Sequence, residues 1–374
     1  GEADFVYICQ CYPYTHTKLL ARVETLQKTP SFSHILRVET LCQTIAGHSA
    51  PLLTITDFSA SPEELRNRKA VVVTARVHPG ETNASWMIQG VIDALLADTP
   101  IARELCTWIV FKIIPSLNPD GVILGNYRCG LSGEDLNRSW ADPSVAKHPT
   151  IACAKALLKS LADEERLLLF CDLHGHSRKK STFMYGVDRP KAGLGRLSER
   201  VFPMLLSQLT PHFSFNSCSF KVLRSKETTG RVVVARQMGL LNSFTLEASF
   251  CGPDGPTGEG GVETHYSNTD LINLGESFVQ ALHRFANPLR EGYNSALSDL
   301  EALLPSGAKD GEASDEDAEP PEEAPPQRRS AVSTTASRRK SGAASGTGQA
   351  ASAPGTKVKY DLKPKRKHTA AGKK

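Results

Sequence analysis

The stretch Val71-Val-Val-Thr-Ala-Arg-Val-His78-Pro-Gly-Glu81 decides the fold of this chain. Its first half is apolar and rich in β-branched side chains, which is typical of a strand buried on both faces. Pro79 and Gly80 end that strand and leave His78 and Glu81 together in a tight turn. Apolar residues then recur at helical spacing, so an amphipathic helix follows. Because open α/β sheets keep their sites at the carboxyl edge, this turn is where we expect function.

The same alternation of strand and helix continues along the chain. Further strands are predicted at residues 3–11, 34–42, 51–56, 108–115, 167–173 and 240–248, and helices at 150–161, 197–209 and 269–286. Such alternation predicts an α/β fold with a mixed, mainly parallel central β-sheet flanked by helices. A polar loop over 122–140 is rich in specific side chains, which favours a functional loop.

The composition changes after residue 304. Residues 305–374 are rich in Gly, Ala, Ser and Pro and carry 14 basic and 9 acidic side chains, the acidic block first and the basic blocks after it. Such a segment buries too little apolar surface to offset its ordering entropy. We therefore predict one folded domain over 1–304 and a disordered tail over 305–374. The basic blocks are compatible with nuclear import, with attraction to acidic partners or with a merely solubilising role.

The overall composition is that of a soluble globular protein. The 374 residues are 40% hydrophobic and 22% charged. No apolar run approaches the roughly 18 residues that a membrane-spanning helix needs. The 9 cysteines form no Cys-x-x-Cys pair, which argues against a disulfide framework or a zinc cluster of cysteines and favours a reducing, cytoplasmic location. We expect a monomer that binds neither nucleic acid nor membrane.

Three residues at strand ends predict a metal site. His78 and Glu81 share the turn, and His174 follows the predicted strand at 167–173. Two imidazoles and one carboxylate suit a single zinc ion and leave one position open, as catalytic zinc sites require. The alternative is that these are ordinary polar residues at strand ends. That alternative would suffice for a single histidine, but the three residues together favour the metal site. His176 competes with His174, which lies nearer the strand, and the role of His176 stays open.

Five motifs occur in an order that resembles the zinc carboxypeptidases. They are His78-Pro-Gly-Glu81, Asn118-Pro-Asp-Gly121, Asp135-Leu-Asn-Arg138, Asp172-Leu-His-Gly-His176 and Phe244-Thr-Leu-Glu-Ala-Ser-Phe250. The residues around Asp135 and His174 are similar to those of the cytosolic carboxypeptidase branch, whose members trim glutamates from tubulin. The resemblance covers roughly residues 1–290, so it implies that 1–304 is a zinc carboxypeptidase catalytic domain. It also implies a β-rich module ahead of that domain, and this sequence starts almost at the catalytic part.

The resemblance implies a role for several residues. Glu247 would be the general base that takes a proton from the attacking water and passes it to the leaving amine. Arg128 would polarise the scissile carbonyl. Asn137 and Arg138 would bind the terminal α-carboxylate of the substrate. Asp135 would hold His78 in one tautomer.

Substrate choice is predicted to depend on the basic stretch at 221–236. Arg231 lies about where the family places its specificity residue, and a cation there would accept a glutamate side chain. The alternative for the other basic residues, Lys221, Arg224, Lys226 and Arg236, is a solvated charged face. Secreted carboxypeptidases have a tyrosine in this region that closes over the substrate, and no tyrosine occurs between residues 221 and 236.

The resemblance thus predicts an enzyme that removes C-terminal glutamates from polyglutamylated tubulin or similar protein tails. Its location would be cytoplasmic, associated with the cytoskeleton or cilium. One alternative is a hydrolase of the same fold that acts on small N-acyl amino acids, against which Asn137, Arg138 and the long loop argue. Another is an inactive microtubule-binding scaffold, which has no need of a metal site and a base.

Overall fold

The computed structural model describes residue 6 and residues 8–188, 195–255 and 264–304. The predicted tail over 305–374 lies outside the described residues, so its predicted disorder stays a prediction. Residues 8–15 form no strand, so the strand predicted over 3–11 is wrong at least in its second half.

The strands and helices alternate along the chain. The strands are β1 (Leu36–Gln43), β2 (Ser49–Ile55), β3 (Lys69–Ala75), β4 (Ile109–Ile114), β5 (Leu167–His176), β6 (Thr182–Tyr185) and β7 (Ser243–Ser249). The α-helices are α1 (His16–Lys28), α2 (Pro62–Asn67), α3 (Thr82–Leu96), α4 (Pro100–Trp108), α5 (Pro119–Leu124), α6 (Pro149–Asp163), α7 (Val201–Ser207), α8 (Gly230–Gln237), α9 (Asn268–Ala286) and α10 (Glu291–Leu303).

Among the described residues, the strands form one sheet in the order β1-β2-β4-β3-β5-β7-β6. The four central strands β4, β3, β5 and β7 run parallel to one another. The outer strands are antiparallel to their neighbours: β1 and β2 on one side of the parallel centre and β6 on the other. The predicted mixed α/β sheet flanked by helices is confirmed. Its parallel centre brings the carboxyl ends of β3, β5 and β7 to one edge.

The opening stretch folds as predicted, with one difference at the strand end. β3 stops at Ala75 rather than at Val77 because Arg76 adopts a left-handed backbone with φ 58°. That conformation turns the chain out of the strand and is uncommon for a residue other than glycine. α3 begins after Glu81 and is buried on most of its circumference, since α9 covers its outer side.

The core lies on both faces of the sheet. The larger apolar cluster joins one face of the sheet to the helices α3, α7 and α9, and its largest fully buried side chains include Phe111, Phe202 and Phe278. The second cluster joins the other face to α6 and α8 around Trp140 and Phe170. Within the described ranges, none of the helices is both long and apolar enough to cross a bilayer.

Candidate active site and metal centre

The turn after β3 places His78 and Glu81 side by side. Both are buried, and Nδ1 of His78 lies 2.6 Å from Oε1 of Glu81. Gly80 allows Tyr127 to pack closely against this turn, since a Cβ at this position would lie 2.5 Å from the ring of Tyr127. The predicted pair therefore exists as a contact between an imidazole nitrogen and a carboxylate oxygen.

His174 joins this pair from the carboxyl end of β5. Its Nδ1 lies 2.9 Å from Oε2 of Glu81, and its ring centre lies 4.9 Å from that of His78. One ligand atom from each of the three residues lies within 4.8 Å of the others. Two imidazole nitrogens and one carboxylate oxygen, converging from buried side chains, match the donor set that zinc takes in catalytic sites. The residues present therefore fit a zinc ion.

The outer nitrogens of both rings are held by carboxylates. Nε2 of His78 lies 3.2 Å from Oδ1 of Asp135, and Nε2 of His174 lies 2.8 Å from Oδ2 of Asp172. Thr74 on β3 donates to the other oxygen of Asp172 at 2.6 Å. Such partners orient metal-binding imidazoles, and Nδ1 of each ring faces the carboxylate of Glu81.

Electrostatics concentrate negative charge around the two rings. Burial opposes protonation of both imidazoles, but the neighbouring carboxylates outweigh it and raise the pKa of His78 and of His174. Burial likewise opposes ionisation of Glu81, but the two rings hold its pKa well below the usual range. The buried carboxylates thus favour a positive charge between the two rings. Such a site is suited to a divalent cation.

Glu247 lies beside the metal ligands on the neighbouring strand. It pairs with His174 in the parallel ladder between β5 and β7. Its Oε2 is buried and has no hydrogen-bond partner within the part of the chain that the structure describes. Burial, aided by the charge of Glu81, raises the pKa of Glu247 to about 7, although His174, His78 and Lys226 oppose this shift. An uncommitted carboxylate with a pKa near neutrality is suited to general-base work.

Asp135 contacts the two arginines of the loop between α5 and α6. Its Oδ2 accepts from Nε and Nη2 of Arg128 at 2.8 and 2.7 Å, and Nη1 of Arg138 lies 3.8 Å away. Burial opposes ionisation of Asp135, but the hydrogen bond to His78 and the two arginines hold its pKa well below the usual range. Arg128 is thus anchored to the carboxylate that contacts His78, and Arg138 lies near that carboxylate while donating to the carbonyl of Asn137.

The amide of Asn137 joins the loop to α8. Its Oδ1 accepts from the backbone N–H of Gly230 at 3.1 Å, and its Nδ2 lies 3.5 Å from Nε2 of His174. A Cβ at Gly230 would lie 2.9 Å from the ring of Trp140, so only glycine allows this approach. Asn137 therefore lies beside the metal ligands and fixes the start of the helix that carries Arg231.

Arg231 is buried on the same side of the sheet as Glu247. Its guanidinium donates to the carbonyl of Gly186 and lies 5.5 Å from the ring centre of Tyr185. Tyr185 pairs with Thr245, which is two residues from Glu247 on β7 and so points to the same face. Among the other basic residues of the stretch, Lys221 and Arg224 are exposed, and Arg236 pairs with Glu227 at 2.9 Å.

The structure also assigns contacts that the sequence did not predict. Arg76 is buried, and it donates to the carbonyls of Pro79 and Tyr14 and to the hydroxyl of Ser85. It therefore holds the turn that carries His78. The sequence signal was a single charged residue within a β-branched run. His176 lies outside the metal-ligand group and packs edge-on against Phe183 at 5.3 Å.

Comparison with known proteins places this geometry in a family. Residues 23–184 match the family model described as zinc carboxypeptidase. The chain is 43% identical over 304 residues to cytosolic carboxypeptidase 2 of Xenopus tropicalis, covering 81% of this chain and 31% of that protein. It is 42% identical over 304 residues to cytosolic carboxypeptidase 3 of Mus musculus, covering 80% of this chain and 30% of that protein. The chain thus spans about a third of the length of these curated relatives.

Solved structures share the fold at lower identity. A metallo-carboxypeptidase from Burkholderia cenocepacia superposes with a TM-score of 0.63 at 24% identity, over 73% of this chain and 69% of that chain. A metallo-carboxypeptidase from Pseudomonas aeruginosa, solved in complex with (2-guanidinoethylmercapto)succinic acid, gives 0.62 at 24% identity, over 75% and 71% of the two chains. The resemblance predicted from the five motifs is confirmed: the chain contains a zinc carboxypeptidase domain, and the curated relatives that it matches are named cytosolic carboxypeptidases.

Proposed function

We propose that this protein is a zinc-dependent carboxypeptidase that removes glutamates from the C-termini of protein chains, with polyglutamylated tubulin as the substrate we expect first. One observation carries the proposal. A group of three metal ligands lies next to an uncommitted buried carboxylate, Glu247, and a buried arginine, Arg231, lies on the same face of the sheet. The names of the relatives support the enzyme class and a cytosolic location.

The catalytic part of the proposal assigns the metal and the base. His78, Glu81 and His174 would hold the zinc ion, which lowers the pKa of a bound water to about 7 and polarises a carbonyl when bound. Glu247 then removes a proton from the attacking water and returns it to the amine that leaves. The raised pKa of Glu247 suits both transfers, because the side chain can accept and release a proton near neutral pH.

Substrate binding falls to the loop between α5 and α6. Arg128 would stabilise the oxyanion, where loss of one donor typically costs on the order of 10²–10³ in turnover. Arg138, with Asn137, would bind the terminal α-carboxylate, because a planar guanidinium forms two parallel hydrogen bonds to a carboxylate. Recognition of that terminus is what restricts an enzyme to the end of a chain.

Arg231 would set the choice of the terminal side chain. It is 5% exposed, and its guanidinium lies among Gly186 and Tyr185 rather than in solvent. A buried cation favours an acidic side chain, since hydrogen bonds between charged partners are strengthened out of water. Glutamate and aspartate are the residues that such a pocket would select.

Peptide mass spectrometry with a terminal-residue panel tests the proposal. The zinc-loaded protein is incubated with synthetic tubulin-tail peptides that end in Glu, Asp, Gln or Lys, and with an N-acetyl amino acid. We expect release of the acidic terminal residues only, and loss of that selectivity in Arg231→Gln. Hydrolysis of the N-acetyl amino acid alone would indicate the small-amide hydrolase, and binding to microtubules without any cleavage would indicate the scaffold.

A further inference from the structure

The turn that joins β5 to β6 carries a short basic run, Arg178-Lys-Lys180, directly after the metal ligand His174 and its neighbour His176. The ring of His176 fixes this turn. Its Nδ1 accepts from the backbone N–H groups of Arg178 at 3.3 Å and of Lys179 at 2.9 Å. His176 therefore caps the turn from within the strand.

The turn places the ammonium of Lys179 over two aromatic rings. Its Nζ lies 5.1 Å from the ring centre of Phe183 and 5.7 Å from that of Tyr185. The ring of His176 packs against Phe183 as well. Cations within about 6 Å of a ring centre are attracted by its negative face. The half-buried Lys179 side chain thus contacts two aromatic rings.

The two rings relate Lys179 to the site. Phe183 pairs with Glu247 across β6 and β7, and Tyr185 lies two residues further along the same face. Lys179 lies over Phe183 beside the base, whereas the guanidinium of Arg231 lies over Tyr185 near Gly186. Two cations therefore contact one aromatic strip, the half-buried Lys179 over the ring that pairs with Glu247 and the buried Arg231 over the ring two residues further along.

We propose that Lys179 is a specificity residue for the amino acid on the amino side of the scissile bond, with His176 as its positioning residue. This inference rests on the proposed function. Arg231 would select the terminal side chain, and Lys179, over the ring that pairs with Glu247, would contact the residue that stays on the protein after cleavage. Two cations in succession then favour two acidic residues in succession, so the site selects a run of glutamates over a single terminal glutamate.

Paired peptides test the assignment through kcat and KM. The zinc-loaded protein is given peptides that end in Glu-Glu or in Ala-Glu. We expect kcat/KM to be about tenfold higher for Glu-Glu, the size of one hydrogen bond to a charged group. Lys179→Gln should remove this preference by raising KM for Glu-Glu alone. Lys159→Gln, which removes an exposed lysine of α6, is the matched control and should keep the preference.

Variants of His176 test its positioning role. His176→Phe retains a ring against Phe183 but cannot accept the two backbone hydrogen bonds, so the Glu-Glu preference should fall as in Lys179→Gln while the zinc content stays unchanged. His176→Asn supplies an acceptor that suits such turns, and it should restore part of the preference.

Three results would overturn the inference. One is an equal kcat/KM for the two peptides in the wild type. Another is an equal loss on both peptides in Lys179→Gln, and the third is a change in the preferred terminal residue in that variant. Release of glutamate with any of these results leaves the proposed function standing. No release from either peptide would instead overturn the proposed function, and this inference with it.

Discussion

The metal-ligand group at the carboxyl edge of the sheet and the contact between α3 and α9 are stabilised in opposite ways. At the sheet edge, buried His78, Glu81 and His174 are held by directional contacts to carboxylates. Between the helices the backbones nearly touch, since a Cβ at Gly90 would lie 2.0 Å from the carbonyl oxygen of Ile272, and one at Gly275 would lie 2.1 Å from that of Met87.

The difference concerns what a substitution changes. The polar group gains little stability from its charges, because burying them costs about as much as their attraction returns. Its arrangement serves chemistry, so a substitution there should alter function and spare the fold. The helix contact depends on close packing, so a substitution there should alter the fold and affect function only through it.

Substitution of the base gives the largest expected effect on the functional side of this comparison. Glu247→Gln retains the shape of a buried side chain but cannot accept the proton, so kcat should fall by about 10²–10⁴-fold. The melting temperature should stay the same or rise, because an ionisable group is removed from a buried position. Steady-state kinetics and thermal unfolding of the same preparation would check both. Unchanged turnover would contradict the assignment of Glu247 as the base.

Adding one methyl group between the helices gives the largest expected effect on the structural side. Gly275→Ala should lower the free energy of unfolding by about 3 kcal/mol, because the new Cβ meets the backbone of α3 rather than a movable side chain. Urea unfolding would measure the loss. Glu276→Ala, at an exposed position of the same helix, is the control and should change little. Normal zinc affinity in the remaining folded Gly275→Ala protein would agree with the comparison.

The carboxylate behind His78 gives a smaller effect on metal binding. Asp135→Asn should weaken zinc binding by about 10–100-fold, because the amide orients the imidazole less well and adds no negative charge. Competition with a chromogenic chelator would measure the affinity. Asp163→Asn removes an exposed carboxylate that pairs with Lys159 and serves as the control. An unchanged zinc affinity in Asp135→Asn would show that His78 does not depend on this partner.

Arg76 connects the two regions, so its substitution should affect both stability and zinc binding. We expect these effects to be the smallest of the four. It contacts Pro79 in the metal-ligand turn and Ser85 in α3. Arg76→Lys keeps the charge but loses the forked donor geometry, so the free energy of unfolding should fall by about 1–2 kcal/mol and zinc affinity should fall with it. Parallel unfolding and zinc titrations would test this. A loss of stability with full zinc affinity would separate the turn from the helix.

Most of the fold and the grouping of His78, Glu81 and His174 could be predicted because their signals are local. The β-branched run before His78 and the apolar strand before His174 each contain the whole pattern of a buried strand. The end of β3 at Ala75 could not be predicted, since Arg76 is fixed by hydrogen bonds to Pro79, to Ser85 and to Tyr14, which is distant in the sequence. The contacts of His176 could not be predicted from the sequence either. It depends on the antiparallel pairing of β6, a strand of only 4 residues, with β7.

The central claim is that His78, Glu81 and His174 hold a zinc ion that works with Glu247 on a glutamate-ending chain. One mass-spectrometric time course tests it most directly. A tubulin-tail peptide that ends in several glutamates is incubated with the protein as purified, after chelation, and after zinc is returned. The account predicts stepwise loss of glutamate masses that chelation stops and zinc restores. An untouched peptide in the presence of folded, zinc-loaded protein would contradict it.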